Sequence, residues 1–395
     1  MTGNGMTRRA LLANIATLGV AAGSAGALAQ TRGTSPIYRD FADPYLELIR
    51  LLREAAEIEH DLMVQYLYGA FSLKPAYAEL LGGPQPGSRS FLGVTVEEMQ
   101  HLGAVNRLLV ELNAAPVLSR QDFPYENDIY PFPFELAPLG PVTLARFTYC
   151  EAAPDALTEV RGTGYGSAQL LEQLKISLGG SIAPNHVGHL YDAVIETLGE
   201  VKRAGAASID FDAWIEDLEN IKAQGEVGHF EFFESVYSGK HPLLSAAPGV
   251  WSLPTNDARH PCYQVPVNPT AYSGHTNSIE DPELRALAWL GNLNYWSMLS
   301  LLDTGYRLNS SVELALAQAV MMGPLMSIAQ QLPAMGAAVP FDPLSMGFEP
   351  GLSAAAERRF TRLMVTETRD FARTIEHLLP ASFTPELYDQ MLSAL

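Results

Sequence analysis

Residues 94–112 read VTVEEMQHLGAVNRLLVEL. Val94, Glu98, His101, Val105, Leu108 and Leu112 recur there at alternating spacings of four and three, which lines them along one face of a helix. Val94, Val105, Leu108 and Leu112 are apolar and belong in a core. Glu98 and His101 do not, unless they are paired or bound to a cation, because a bare buried carboxylate is strongly unfavourable. At positions i and i+3 the two side chains project from one face about one turn apart, where they can hold a single metal ion together.

Working outward, the same Glu-x-x-His spacing recurs at Glu226/His229, ahead of the aromatic run HFEFF, and at Glu57/His60. A further inward carboxylate stands on the helix expected over residues 44–71, which Asp43-Pro44 opens with an N-cap acid and a first-turn proline. Its stripe is Leu48, Leu52, Ala55, Glu59, Leu62 and Tyr66, again at spacings of four and three. Glu59 lies inside that stripe. Tyr66 follows two turns later on the same face, as a candidate hydrogen-bond or radical donor to the centre or as simple packing. Glu57/His60 reads as an exposed pair, with His60 held as an alternate ligand.

A third helix is expected over 185–203. His189 and Glu196 are seven apart there and share a face, with His186 and Glu200 close to it. The apolar stripe of Val187, Leu190, Val194, Leu198 and Val201 leaves both candidates off its centre, so periodicity does not choose; His189 is the primary candidate and Glu196 the alternate. A fourth helix is expected over 211–237 with a break at Gly225. Glu59, then Glu98/His101, then a third-helix ligand, then Glu226/His229 is the chain order of a four-helix bundle that holds two metal ions by carboxylates and imidazoles. Oxygen and imidazole donors suit non-haem iron, with manganese as the alternative, and the lack of a nearby cysteine argues against a closed structural zinc site.

The connection over 113–166 is rich in proline and aromatics, with a short strand expected at 142–149. Segments 123–134 and 251–272 are expected to cover a substrate pocket, a common role for long loops. Helices follow at 282–306, at 312–332 with a kink at Gly323-Pro324, and at 354–379 and 385–392; Asn292, Asn294 and Tyr295 are candidate pocket contacts. The expected architecture is all-α: a bundle over 40–240, an irregular crossing over 241–280, and an additional C-terminal helical region over 281–395.

Composition agrees. The chain has 395 residues, 47% hydrophobic and 17% charged, which excludes disorder and rod-like repeats. Its formal charge of −19 repels phosphate backbones and excludes nucleic acid as a main partner. Cys150 and Cys262 cannot build a disulfide framework. At the N-terminus, Arg8-Arg9 lead an uncharged stretch over 10–28 that ends Ala27-Leu28-Ala29. These are the parts of a twin-arginine-type export signal over 1–29, a route that carries folded proteins to the periplasm or outside. No other stretch reads as a bilayer span, so no stable membrane insertion is expected once the signal is removed.

The stretches AAEIEHDLMVQYLYGAFSL, VTVEEMQHLGAVNRLLVELNAAP, HVGHLYDAVIETL and IKAQGEVGHFEFFESV resemble the ferritin-like domain of the iminophenyl-pyruvate dimer synthase type, found in violacein- and rebeccamycin-pathway dimer synthases. LNYWSMLSLLDTGY and MMGPLMSIAQQLPAMG resemble the helical pair that follows it. The resemblance implies a ferritin-like four-helix bundle with Glu59, Glu98, His101, Glu226 and His229 as metal ligands. It implies no substrate, because an exported protein does not meet the cytoplasmic imines those synthases join. The expected function is an exported oxidoreductase with a non-haem, di-iron centre that acts on a small organic substrate with oxygen or peroxide. The alternatives are a metal-binding or oxidant-scavenging protein, and a helical interaction scaffold.

Overall fold

The computed structural model describes residues 37, 39–83, 85, 89–120, 132–153, 156, 172, 176, 187–344 and 353–395. The stretch 1–29 read as an export signal, His186, and residues 123–131 of the first segment expected to cover a pocket lie outside them. Among the described residues every regular element is helical, and extended pairing is limited to two isolated bridges, Leu73–Cys262 and Thr270–Ser278.

Helix α1 (Pro44–Phe71) starts where Asp43 accepts hydrogen bonds from the backbone of Tyr45 and Leu46. From Leu48 onward most of its residues are buried, because it runs through the centre with neighbours on several sides. Helix α2 (Phe91–Glu111), capped by Ser90, packs along it. Helix α3 (Pro141–Glu151) stands where a strand was expected. The β-branched and aromatic residues of VTLARFTYC suggest a strand, but Gly140-Pro141 is a helix start. What decides is burial: Leu144, Thr148 and Glu151 are buried at helical spacing, while Val142 is 41% exposed, so an alternating pattern fails.

Helix α4 (Val187–Ala204) lies against α1, and α5 (Phe211–Ala223) against α4. The break expected at Gly225 is a π-helical turn, Gln224–His229, which leads into α6 (Phe230–Tyr237). Tyr66, Phe91, Phe147, Phe232 and Phe233 interlock with ring centroids 4.5 to 5.8 Å apart. They come from α1, α2, α3 and α6, which identifies those four as the bundle and α4 as a helix flanking it.

The irregular crossing is tied to the end of α1, with Lys74 N donating to Pro261 O at 2.8 Å and Tyr263 N to Ser72 O at 2.8 Å. Helix α7 (Pro282–Leu308) packs on α10 (Ala354–Thr374) through small hydroxyl residues: Ser297–Thr368 at 2.8 Å, Ser300–Thr361 at 2.7 Å and Thr304–Thr361 at 2.8 Å. Between them run α8 (Ser311–Val320), a second π turn (Met321–Leu325) and α9 (Met326–Gln331), and α11 (Glu386–Ala394) closes the chain. The expected Pro324 kink takes the form of that π turn, since proline offers no N–H to the ladder. Contrary to the sequence reading, Ser311–Met335 is long and apolar enough to span a bilayer, with mean hydropathy 1.5, but 44% of the relevant window is buried inside the protein. Core helices pass the same test.

Asn292 and Asn294 serve the core rather than a pocket. Asp342 accepts from Asn292 Nδ2 at 2.8 Å and from Ala271 N at 3.0 Å, and Tyr388 donates to Asn294 Oδ1 at 2.8 Å.

Candidate metal centre

Just past the aromatic plug, six ionisable side chains converge from four elements. Glu59 comes from α1, Glu97, Glu98 and His101 from α2, Glu151 from the last turn of α3, and His229 from the π turn. All are buried, and none exceeds 8% exposure. Two triads have ligand atoms close enough to share an ion: Glu59, Glu98 and His101, and Glu98, Glu151 and His229. Glu98 belongs to both.

The Nδ1 atoms of both imidazoles face inward. His101 Nδ1 lies 3.0 Å from Glu98 Oε2 and 3.6 Å from Glu59 Oε2. His229 Nδ1 lies 2.8 Å from Glu98 Oε1 and 3.5 Å from Glu151 Oε2. The outward Nε2 atoms are tied to the wall, His101 to Gln224 Oε1 at 2.8 Å and His229 to Glu97 Oε2 at 3.0 Å. Two tyrosines brace the outer carboxylates: Tyr66 donates to Glu151 Oε1 and Tyr191 of α4 donates to Glu59 Oε1.

The electrostatics are those of protons standing where a cation fits. Burial and the facing charge of Glu98 push the Glu59 carboxyl up. Burial pushes His101 down, but Glu98 and Glu59 outweigh it and raise the imidazole to about 10. His229 is likewise raised, with burial outweighed by Glu98, Glu151 and Glu97. Burial disfavours charge on Glu98, yet the two imidazoles hold it well below the usual carboxylate range. Burial, with the charges of Glu151 and Glu59 respectively, drives the Tyr66 and Tyr191 phenols upward.

The donor set fits metal. Glu59 Oε2, Glu98 Oε1 and His229 Nδ1 are buried, lack aligned hydrogen bonds and meet only the opposite charges of the cluster itself, an arrangement that depends on protons or an ion to neutralise the carboxylates. Room for the carboxylates depends on two glycines. A Cβ at Gly188 would stand 2.2 Å from Glu226 Oε1, and one at Gly225 would stand 2.8 Å from Glu151 Oε2. The surrounding cavity is lined by Glu59, Glu98, His101 and Glu151 together with Leu62, Val187, Ile221 and Lys222 and, contrary to the sequence reading that no cysteine is near, by Cys150. These carboxylate and imidazole groups are compatible with a di-metal site.

Of the residues expected from sequence, Glu59, Glu98, His101 and His229 are brought together, and Tyr66 reaches the cluster. Glu226 lines the same cavity but belongs to neither triad. The wider i→i+5 turn rotates less per residue than an α-helix, so residues three apart fall further short of a full turn, and the 226/229 spacing no longer means one face. His189 is half-buried near Asp192 and Lys222, and Glu196 is exposed; neither enters a triad. Both sit on α4, which flanks the bundle, and Glu151 of α3 stands where the third-helix ligand was sought. His60 is not an exposed residue but a buried one. Its Nε2 accepts from Tyr295 OH at 2.6 Å, and burial, with Arg120 nearby, lowers it to about 3. Sequence reasoning missed Glu151, Tyr191, Glu97 and Gln224. The signal for Glu151 was present: the Gly140-Pro141 start followed by Leu144, Thr148 and Glu151 at helical spacing.

Comparison with known proteins places this geometry in a class. Residues 52–235 match the Ferritin-like family model, so the part of the chain that builds the centre is a ferritin-like domain, as its motifs suggest. The chain is also similar to dichlorochromopyrrolate synthase of Lentzea aerocolonigenes, 26% identical over 316 residues, covering 65% of this chain and 30% of that protein. It thus spans about a third of the relative's length. No solved structure matches.

Proposed function

We propose that the protein is an exported oxidoreductase with a non-haem di-metal centre, iron in the first instance, acting on a small organic substrate with oxygen or peroxide. One observation carries the reading: two buried Glu/His triads share Glu98, and their inward donor atoms face one another within reach of a shared ion. The ferritin-like domain and the similarity to a synthase support it, and Arg8-Arg9 ahead of a mild apolar stretch supports export of a folded, loaded protein.

In this reading Glu98 would bridge the two ions, Glu59 and His101 would hold one, and Glu151 and His229 the other. Bound metal supplies activation of the oxidant and polarisation of the substrate. The remaining work belongs to the chain. Tyr66 and Tyr191 hold Glu151 and Glu59 in orientation by donating to one oxygen of each, and burial keeps both phenols protonated as donors. The aromatic plug excludes water from one end. Val187, Ile221 and Lys222 line the approach from the α4–α5 side.

The test is metal analysis of protein matured through its native export route. About two ions per chain are expected, and His101→Ala is expected to lower both metal content and melting temperature, because the ion binds only the folded form. Oxygen uptake that depends on an added organic compound then separates an enzyme from a scavenger. A chain that takes up no metal would leave the scaffold reading standing.

A further inference from the structure

We propose that the two halves of the centre are built unequal, with Glu97 as the positioning residue that makes the His229 half the tighter one. The inference rests on the di-metal reading above and goes beyond its ligand set. Each imidazole presents Nδ1 to the cluster and Nε2 to the wall, so the group that accepts from Nε2–H fixes the tautomer and the ring plane. The two acceptors differ in charge. His101 Nε2 donates to the neutral amide oxygen of Gln224 at 2.8 Å. His229 Nε2 donates to the Glu97 carboxylate at 3.0 Å. A carboxylate behind an imidazole makes the inward nitrogen the more basic ligand and adds a negative charge close to the ion, whereas an amide only orients the ring.

The wiring is also crossed. Glu97 sits on α2 and braces the histidine of the π turn; Gln224 sits on the π turn and braces the histidine of α2. Each element therefore holds the other's ligand. Glu97 is adjacent to Glu98 in sequence and meets the opposite nitrogen of the same imidazole, so the pair Glu97-Glu98 places one carboxylate behind His229 and one in front of it. The first ion to enter settles against Glu98, Glu151 and His229, and the ion beside His101 and Glu59 is the one that exchanges.

The experiment titrates cobalt(II) into the metal-free full-length chain, followed by visible absorbance and calorimetry. Wild type is expected to bind in two resolved steps. Glu97→Gln is expected to weaken the tighter step by about 10- to 100-fold, the usual effect of losing such a support, and to leave the weaker step in place. Gln224→Glu is expected to tighten the weaker step, a gain that a misfolded variant cannot produce. Two unchanged steps in Glu97→Gln, or an unchanged weaker step in Gln224→Glu, would overturn the proposal while leaving the di-metal reading intact. No cobalt binding by wild type would overturn both.

Discussion

Glu98→Gln is expected to empty both metal positions at once, while Glu59→Gln or Glu151→Gln empties one. The measurement is metal per chain after loading with iron(II), compared with about two in the parent protein. The asymmetry follows from topology. Glu98 sends Oε2 toward His101 and Oε1 toward His229, so both triads lose a donor when it changes. Glu59 and Glu151 each serve one triad. The glutamine keeps the volume and loses the charge, which leaves two imidazoles facing an amide that cannot neutralise a cation. A Glu98→Gln protein that still carries two ions would remove the bridging role, and with it the reading of one shared centre.

The metal-free protein is expected to lose stability as pH rises from about 6.5 to 9, and added iron(II) or manganese(II) is expected to flatten that loss. The sign follows from where protons are held. Burial opposes charge on His101, yet Glu98 and Glu59 raise it from 6.5 to about 10, and His229 moves in the same direction. A group raised by folding contributes stability fully below its unfolded value, and loses it as pH climbs through the folded one. Glu59, raised by burial and by Glu98, has the same sign. Melting temperature should therefore fall by more than ~5 °C across that window. An ion that takes the protons' place removes the slope, and its binding should release protons in a calorimeter run in buffers of different ionisation heat. A metal-free melting curve indifferent to pH between 6.5 and 9 would mean that the imidazoles are not proton-loaded in the fold.

How much of this was legible depended on how regular each helix is. On α1 and α2 the apolar stripe runs unbroken through Glu59, Glu98 and His101, so polar residues inside it stood out and the structure brings them together. The third ligand helix was obscured by residue type: α3 is short and rich in strand-favouring side chains, and only burial on its bundle-facing side holds it helical. The longer, more amphipathic α4 drew the search to His189 and Glu196, although it flanks the bundle and contributes Tyr191 instead. On the fourth element the spacing of Glu226 and His229 was read with α-helical geometry where a wider turn operates. The hydrogen-bond partners Glu97 and Gln224 were beyond reach because they act across elements, and periodicity reports only on a residue's own helix. The C-terminal helices were legible in extent, but Asn292, Asn294 and Tyr295 proved to bond within the core.

The widened turn at Gln224–His229 makes chain length a control on chemistry at this point. Such a turn accommodates a surplus residue without disturbing the winding on either side. Deleting the surplus residue there would restore regular winding and leave Phe232 and Phe233 in the aromatic plug, because the helices on either side already keep their register. Only the side chains of the turn itself would be re-aimed, His229 among them, away from Glu98 and Glu97. A single-codon deletion at this turn therefore separates ligation from packing, which substitution of a ligand does not test.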